Sequence, residues 1–173
     1  VHKGDRMRLR RKPWIDEAIH EYDSHIILEN HGEHKGKWRE LFEDPTKPLY
    51  MELGTGKGRF IAGMAEEHPE ANFIGFEVQM GVIYYAAQKL YERNLSNAKV
   101  ALFDIAGIED IVESGEVDHF YINFCDPWPK AKHAKRRLTY HTFLDRYARL
   151  LKEDGEIHFK TDNEGLFMFS LEE

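Results

Sequence analysis

The chain has 173 residues and a formal net charge of -7, a size that suits one domain with a substantial core. Its single cysteine, Cys125, excludes an internal disulfide. With no run of about 18 apolar residues and no apolar segment after the basic N-terminus, we expect a cytoplasmic protein without a membrane partner.

Positive charge is clustered although the net charge is negative. One cluster occupies the N-terminal arm, residues 1–12, and the other extends from Lys130 to Arg137. A run of like charges is commonly a solvated surface. An acidic protein with two basic patches also suits a polyanion that docks in one orientation, so RNA is a candidate partner.

The first predicted elements are helical. Apolar residues between Trp14 and Tyr22 predict a short amphipathic helix, and another is expected at residues 38–42. His31 and His34, in the loop between them, are fewer ligands than a zinc site needs, so we expect no metal.

From Leu49 onward, apolar runs alternate with helical periods. This alternation predicts an α/β fold with a doubly wound, mostly parallel Rossmann-like sheet. The predicted strands are residues 49–53, 72–76, 99–103, 117–124 and 156–160. A short crossover helix is expected near residues 105–112, and a final helix over residues 164–171.

Each predicted strand ends at or near an acidic residue. These residues are Glu52, Glu77, Asp104, Asp126 and Asp162. Ligands of open α/β sheets bind at the carboxyl ends of the strands, so we expect the acids to line one binding edge. An acidic edge favours hydroxyl-bearing or cationic ligands over a bare polyphosphate.

The glycine-rich turn after the first of these strands reads ELGTGKG over residues 52–58. Gly54, Gly56 and Gly58 allow a ligand to approach the backbone. A dinucleotide site needs GxGxxG, but Arg59 occupies the third glycine position, which disfavours a nicotinamide-dependent oxidoreductase. The spacing to Glu77 suits ribose hydroxyls. Together with the acids, these features favour S-adenosylmethionine, whose sulfonium and ammonium groups are positive.

The stretch FCDPWPKAKHAKRR, residues 124–137, is the strongest candidate for the chemistry. Its prolines restrict the backbone on both sides of Trp128, so the Asp126 carboxylate is expected to be held in place. Trp128 suits two roles equally, stacking on a base or packing under the turn.

Several motifs together resemble the bacterial tRNA (guanine-N7)-methyltransferases, class I enzymes that use S-adenosylmethionine and release S-adenosylhomocysteine. The matching segments are MRLRRKPW (7–14), KGKW followed by LF (35–42), ELGTGKG (52–58), GFE (75–77), NFCDPWPK (123–130), KRRL (135–138) and GEIHFKTDN (155–163). The resemblance implies the strand order 3-2-1-4-5, with the family's final antiparallel strand pair missing. It also implies a basic and helical extension over residues 1–48 and a single, C-terminally incomplete core over residues 49–173.

The same resemblance implies methylation of N7 of a guanine in the variable loop of tRNA, with Asp126 as the catalytic residue. The implied cofactor-binding residues are Glu52, Gly54, Gly56, Gly58, Glu77, Asp104 and Asp126. Lys130 and Asp162 would hold the guanosine. The implied RNA contacts are Lys132, His133, Lys135, Arg136 and Arg137. Two alternatives stay open, an adenine amino-group methyltransferase and a non-catalytic RNA-binding subunit, and the sequence does not distinguish a monomer from a homodimer.

Overall fold

The computed structural model describes residues 12–123, 144–160 and 166–170. The strands are β1 Ile26–Ile27, β2 Leu49–Leu53, β3 Asn72–Glu77, β4 Ala98–Leu102, β5 Val117–Asn123, β6 Leu151–Lys160 and β7 Leu166–Ser170. Within the described residues they form one seven-stranded sheet in the order β1-β4-β3-β2-β5-β6-β7. The β6–β7 pair is antiparallel and the other pairs are parallel.

Helices cover both faces of this sheet. The α-helices are α1 Pro13–Ala18, α2 Arg59–Glu67, α3 Met80–Glu92 and α4, which includes residues 144–150. Short 3-10 helices are found at Ile19–His25, His31–His34, Trp38–Leu41 and Ile105–Asp110. No helix in the described ranges combines the length and apolar character that a membrane span requires.

The five predicted strands correspond to β2 through β6, and their predicted order is confirmed. Parallel neighbours require crossover connections, and α2 and α3 supply the first two. The third crossover is the short 3-10 helix Ile105–Asp110, as its length in the sequence predicts. The two-residue strand β1 was not predicted, because Ile26–Ile27 is too short to show a period.

The predicted final helix over residues 164–171 is wrong, because Leu166–Ser170 forms β7 and pairs with β6. The prediction that the family's final antiparallel strand pair is missing stays a prediction, because β7 lies in the segment that was predicted as the final helix. A run of four apolar residues has no decisive period, so helix and strand look alike in the sequence. Pairing with β6 also satisfies backbone groups that an edge strand would expose.

Side chains alternate between two buried clusters, one on each face of the sheet. Leu49, Met51 and Leu53 of β2 point into the cluster that also contains Trp38 and the α4 residue Tyr147. The opposite face packs against α2, α3 and the N-terminal helices. Successive side chains of a strand point to opposite faces of the sheet. The β2 residues between these three, including Glu52, therefore lie on the face that packs against α2.

A buried carboxylate fastens the KGKW segment to the sheet. Glu116 Oε1 accepts hydrogen bonds from the backbone N–H groups of Gly36 and Glu113, each at 2.9 Å, and Oε2 accepts one from Trp38 N–H at 3.0 Å. The Trp38 indole Nε1 donates to the Ile111 carbonyl at 2.7 Å. A buried charge is tolerated when it is hydrogen-bonded in this way. The KGKW segment therefore has a structural role, because it joins the Trp38 helix to the residues that precede β5.

Candidate functional site

The carboxyl ends of β2, β3 and β4 bring the glycine loop and three of the predicted acids to one edge of the sheet. Glu52 lies in β2 opposite Gly75 of β3, and Glu77 is the last residue of β3. Asp104 follows β4 by two residues. The loop over residues 54–58 leaves β2 at the same edge and leads into α2.

Three backbone N–H groups hold the Glu77 carboxylate at this edge of the sheet. Its Oε1 accepts a hydrogen bond from Gly56 N–H at 3.0 Å, and its Oε2 accepts from Val78 and Gln79 N–H groups, each at 3.1 Å. A carboxylate offers about four acceptor positions. Within the described residues these bonds fix its orientation and leave about one position for a ligand hydroxyl.

Glu52 is buried beneath the glycine loop, with only 3% of its surface exposed. Its Oε1 accepts a hydrogen bond from the Thr55 hydroxyl. The loop is also tied to the end of β3, because Gly54 and Thr55 N–H both donate to the Phe76 carbonyl, at 3.0 and 2.8 Å. Sequence reasoning missed Thr55, whose only signal is its place between two glycines.

Two glycines of the loop have different surroundings. Gly58 has φ +83°, and a Cβ atom there would lie 2.9 Å from the Cα of Ala86 on α3. Gly56 has φ +59°, and a Cβ atom there would meet no atom within 4 Å. Gly58 therefore allows the loop to pack on α3, whereas Gly56 presents bare backbone to open space, where a ligand can approach.

Asp104 is exposed at the edge of the site and begins the 3-10 helix that follows β4. Its Oδ1 accepts a hydrogen bond from Ala106 N–H at 2.9 Å, which satisfies a backbone donor of the first turn. The carboxylate is thereby oriented by its own backbone and stays accessible to solvent.

Basic side chains lie next to the glycine loop where it meets α2 and α3. Arg59 begins α2, and Lys89 of α3 donates from Nζ to the Lys57 carbonyl at 3.0 Å. Burial, together with the nearby charges of Arg93, Arg59 and Lys57, lowers the pKa of Lys89 below its ordinary value. A pocket of about 520 Å³ adjoins the loop here. Its lining residues are Thr55, Gly56, Lys57, Arg59, Phe60, Gly63, Met64 and Glu67.

The remaining predicted site residues lie outside the described residues. They are Asp126, Trp128, Lys130, Lys132, His133, Lys135, Arg136, Arg137 and Asp162. In the sequence, these residues follow the ends of β5 and β6, at Asn123 and Lys160. The described structure thus contains the part of the candidate site that is built on β2, β3 and β4.

A mostly parallel sheet in this order, with a glycine loop after its central strand and an acid closing the next strand, is a doubly wound α/β fold with a ligand-binding edge at the carboxyl ends of its strands, which suits a methyltransferase. In agreement, the family model described as "Putative methyltransferase" matches residues 46–173. Comparison with relatives of assigned name narrows the class to one family of methyltransferases. The tRNA (guanine-N(7)-)-methyltransferase of Streptococcus agalactiae is 48% identical over 165 residues, which are 95% of this chain and 77% of that protein. The chain belongs to the tRNA (guanine-N(7)-)-methyltransferase family, which confirms the resemblance.

A second relative gives the same result. The tRNA (guanine-N(7)-)-methyltransferase of Staphylococcus haemolyticus is 48% identical over 166 residues, covering 96% of this chain and 76% of that protein. The chain therefore spans about three-quarters of the length of these relatives.

Solved structures with low sequence identity share the fold. An antibiotic-related methyltransferase has a TM-score of 0.53 and 21% identity, covering 69% of this chain and 58% of its own. The 30S ribosomal A1408 methyltransferase from an uncultured bacterium has a TM-score of 0.51 and 18% identity, covering 88% and 62%. Coclaurine N-methyltransferase, whose structure contains SAH, has a TM-score of 0.52 and 20% identity, covering 64% and 30%.

Proposed function

We propose that this protein transfers a methyl group from S-adenosylmethionine to N7 of a guanine in the variable loop of tRNA. The observation that carries the proposal is the 48% identity over 95% of the chain with a relative named for this activity. The geometry of the glycine loop supports it, because the described residues suit the cofactor that such an enzyme uses.

The described edge fits S-adenosylmethionine in three ways. Glu77 retains an acceptor position that suits a ribose hydroxyl, and Gly56 has no side chain that would block the approach of a ligand to the loop. Asp104 adds an exposed carboxylate that favours a cationic ligand. We propose the predicted set as the cofactor site, in which Gly56, Glu77, Asp104 and Asp126 contact the cofactor, while Glu52, Gly54 and Gly58 shape the loop that holds it. When bound, the cofactor supplies the methyl group from its sulfonium and leaves as S-adenosylhomocysteine.

Methyl transfer to guanine N7 requires the protein to stabilise a developing positive charge and to align the reacting atoms. Guanine N7 already has an in-plane lone pair, so no base has to remove a proton before the new N–C bond forms. The purine becomes cationic as the S–C bond breaks. We propose Asp126 as the catalytic residue, because a fixed carboxylate stabilises positive charge that develops in a water-poor site. Lys130 and Asp162 would hold the guanosine in line with the methyl group.

The basic stretch after Asp126 would position the RNA. The proposed phosphate contacts are Lys132, His133, Lys135, Arg136 and Arg137. Neutralised phosphates release counterions, which supplies affinity without sequence specificity. The net charge of -7 on the whole chain would repel RNA elsewhere, so the proposed stretch also orients the tRNA. Residues 1–48 are proposed to extend the core over residues 49–173, and the cytoplasm is the proposed location.

A transfer assay tests the proposal directly. The chain is incubated with an unmodified tRNA transcript and methyl-labelled S-adenosylmethionine, and the labelled nucleoside is identified after digestion. Label in N7-methylguanosine is the expected result, and a transcript in which adenine replaces the variable-loop guanine serves as the control. Label in a methyladenosine would instead identify an adenine amino-group methyltransferase. Binding of tRNA without binding of the cofactor would identify a non-catalytic RNA-binding subunit.

A further inference from the structure

Three possible metal ligands meet on the α2 face of the sheet, apart from the residues proposed above for cofactor and tRNA. His119 lies on β5, while Glu156 and His158 lie on β6. The register places His119 opposite Glu156 and Tyr121 opposite His158. Because alternate residues of a strand share a face, all three side chains project from the same side of the sheet.

The donor atoms form a compact triangle. His119 Nδ1 lies 3.2 Å from His158 Nε2, His158 Nε2 lies 3.1 Å from Glu156 Oε1, and His119 Nδ1 lies 3.4 Å from the same Oε1. Tetrahedral zinc with bonds of about 2.0–2.1 Å separates its ligand atoms by about 3.3 Å. The three edges of the triangle therefore match one face of a zinc coordination tetrahedron.

The two ring nitrogens of this triangle can serve hydrogen bonding or a metal, depending on the tautomer of each ring. A proton on each nitrogen lets both rings donate to Glu156 Oε1, at 3.1 Å from His158 Nε2 and 3.4 Å from His119 Nδ1. The other tautomer of each ring has a lone pair at that nitrogen instead, so that two imidazole nitrogens and a carboxylate oxygen form the donor set that a cation binds.

We propose that His119, Glu156 and His158 bind one divalent transition-metal ion, with zinc as the best match. Two imidazoles and a carboxylate suit zinc, whereas magnesium and calcium prefer oxygen ligands. The side chains of His119 and Glu156 are 24% and 30% exposed, so an ion can enter and water can complete the coordination. The site includes none of the residues proposed for methyl transfer.

A metal at this site would cross-link β5 and β6. These strands lead in the sequence to the two stretches that contain Asp126 and Asp162, so the ion would hold together the strands from which those stretches start. Tyr50 and Tyr121 border the cluster, with ring centroids 4.4 Å from His119 and 4.7 Å from His158. These rings restrict the imidazole orientations, which lowers the entropy that metal binding has to overcome.

A titration of the untagged chain tests the site. Protein stripped with a chelator is titrated with zinc in competition with a chromophoric chelator, and cobalt(II) is used in parallel for its visible tetrahedral absorption. One equivalent of tightly bound zinc and the cobalt spectrum are expected. His119→Gln, Glu156→Gln and His158→Gln should each weaken zinc binding by more than about tenfold and remove the cobalt spectrum.

The matched control is His68→Gln, which alters an exposed histidine paired with Glu70 at 2.9 Å and should leave zinc binding unchanged. Circular dichroism verifies the folding of each variant. Zinc should raise the melting temperature of the wild type but not that of Glu156→Gln, which keeps the shape of the side chain. Absence of stoichiometric zinc binding, or equal binding by wild type and all three ligand variants, would overturn the proposal.

Discussion

Glu77 links the shape of the glycine loop to the binding of a ligand. Its carboxylate accepts hydrogen bonds from Gly56, Val78 and Gln79 N–H groups, so the residue that we propose for the ribose also holds the loop. Charge-assisted bonds of this kind are shorter and stronger than neutral ones. A change at this single side chain should therefore affect loop geometry and cofactor affinity together.

We predict that Glu77→Gln weakens S-adenosylhomocysteine binding by roughly tenfold or more, since a hydrogen bond to a charged group contributes about 1.5–3 kcal/mol. The amide introduces a donor where backbone N–H groups already point. Isothermal titration calorimetry measures the affinity, and Glu66→Gln, an exposed glutamate of α2 paired with Arg93, is the control. Equal affinities of the wild type and Glu77→Gln would remove Glu77 from the site.

The proposed chemistry also depends on a single side chain, the carboxylate of Asp126. We predict that Asp126→Ala lowers turnover on the order of a hundredfold or more, the loss typical for removal of a preorganised electrostatic group. The affinity for tRNA should change little. Single-turnover methylation and filter binding measure the two quantities, and the exposed Asp110→Ala is the control. Turnover close to normal in Asp126→Ala would exclude it as the catalytic residue.

At the scale of elements, the strand-loop-helix unit β2-loop-α2 is organised by two glycines with opposite surroundings. Gly58 contacts α3, so its lack of a side chain serves packing between the loop and a helix. Gly56 faces open space, so its lack of a side chain serves the ligand. Both have positive φ, so that any L-residue brings backbone strain at either position.

The two glycines should therefore respond differently to a methyl group. Gly58→Ala is predicted to destabilise the fold by about 1–3 kcal/mol, because overpacking against Ala86 adds to the strain. Gly56→Ala should cost less stability, about 1 kcal/mol, but lose cofactor affinity. Urea denaturation and calorimetry with S-adenosylhomocysteine separate the two effects. Equal losses of stability in both variants would contradict the assignment.

At the scale of the whole molecule, charge is distributed unevenly along the chain, whose described core the sheet divides into two clusters. The chain carries 31 acidic residues against 24 lysines and arginines, yet the stretch after Asp126 is basic. The electrostatic asymmetry predicts binding of tRNA in one orientation and with a strong dependence on salt.

Replacing Lys135, Arg136 and Arg137 together by alanine should weaken tRNA binding and flatten its salt dependence. Each lost phosphate contact lowers the slope of log K against log salt by about 0.7–0.9. Fluorescence anisotropy over a salt series measures the slope. Lys35 and Lys37, both exposed, provide a control double-alanine variant. If the slope of the triple variant equals that of the wild type, these residues are a solvated surface.

Global stability should depend on pH through His25, which joins the N-terminal 3-10 helix to the turn after α3. Its Nε2 lies 3.1 Å from the Leu95 carbonyl and its Nδ1 lies 2.8 Å from the Ser24 hydroxyl, an arrangement that suits a neutral ring donating from Nε2. Burial and then the charge of Lys99 lower the pKa of His25. The unfolded chain therefore binds the proton more readily, and the free energy of unfolding falls as pH drops below about 6.5.

We predict that His25→Gln reduces this loss of stability, because the glutamine amide keeps a donor for Leu95 without titrating. Denaturant unfolding between about pH 7 and pH 5 measures the dependence. His20→Gln, which alters an exposed histidine, should keep the wild-type dependence. An unchanged pH dependence in His25→Gln would show that other groups cause the acid destabilisation.

Some elements of the fold could be predicted from the sequence and others could not, for physical reasons. Strands β2 through β6 were predictable because short apolar runs alternate with helical periods, and their order was implied by the family resemblance. The loop ELGTGKG was predictable because glycine tolerates backbone conformations that other residues avoid. Strands β1 and β7 were not, since two residues and a short apolar run show no distinctive period.

The sequence by itself determined strands β2 through β6, the glycine loop, the acids at the ends of β2, β3 and β4, and the family. These features follow from local periodicity and from motifs that are contiguous in the chain. Only the tertiary structure distinguished the role of Gly56 from that of Gly58. It also showed the hydrogen bond from the Thr55 hydroxyl to Glu52, and the contact of His119 with His158, which lies 39 positions away in the sequence. Such contacts depend on the register between strands and on packing between distant elements, which no local pattern in the chain encodes.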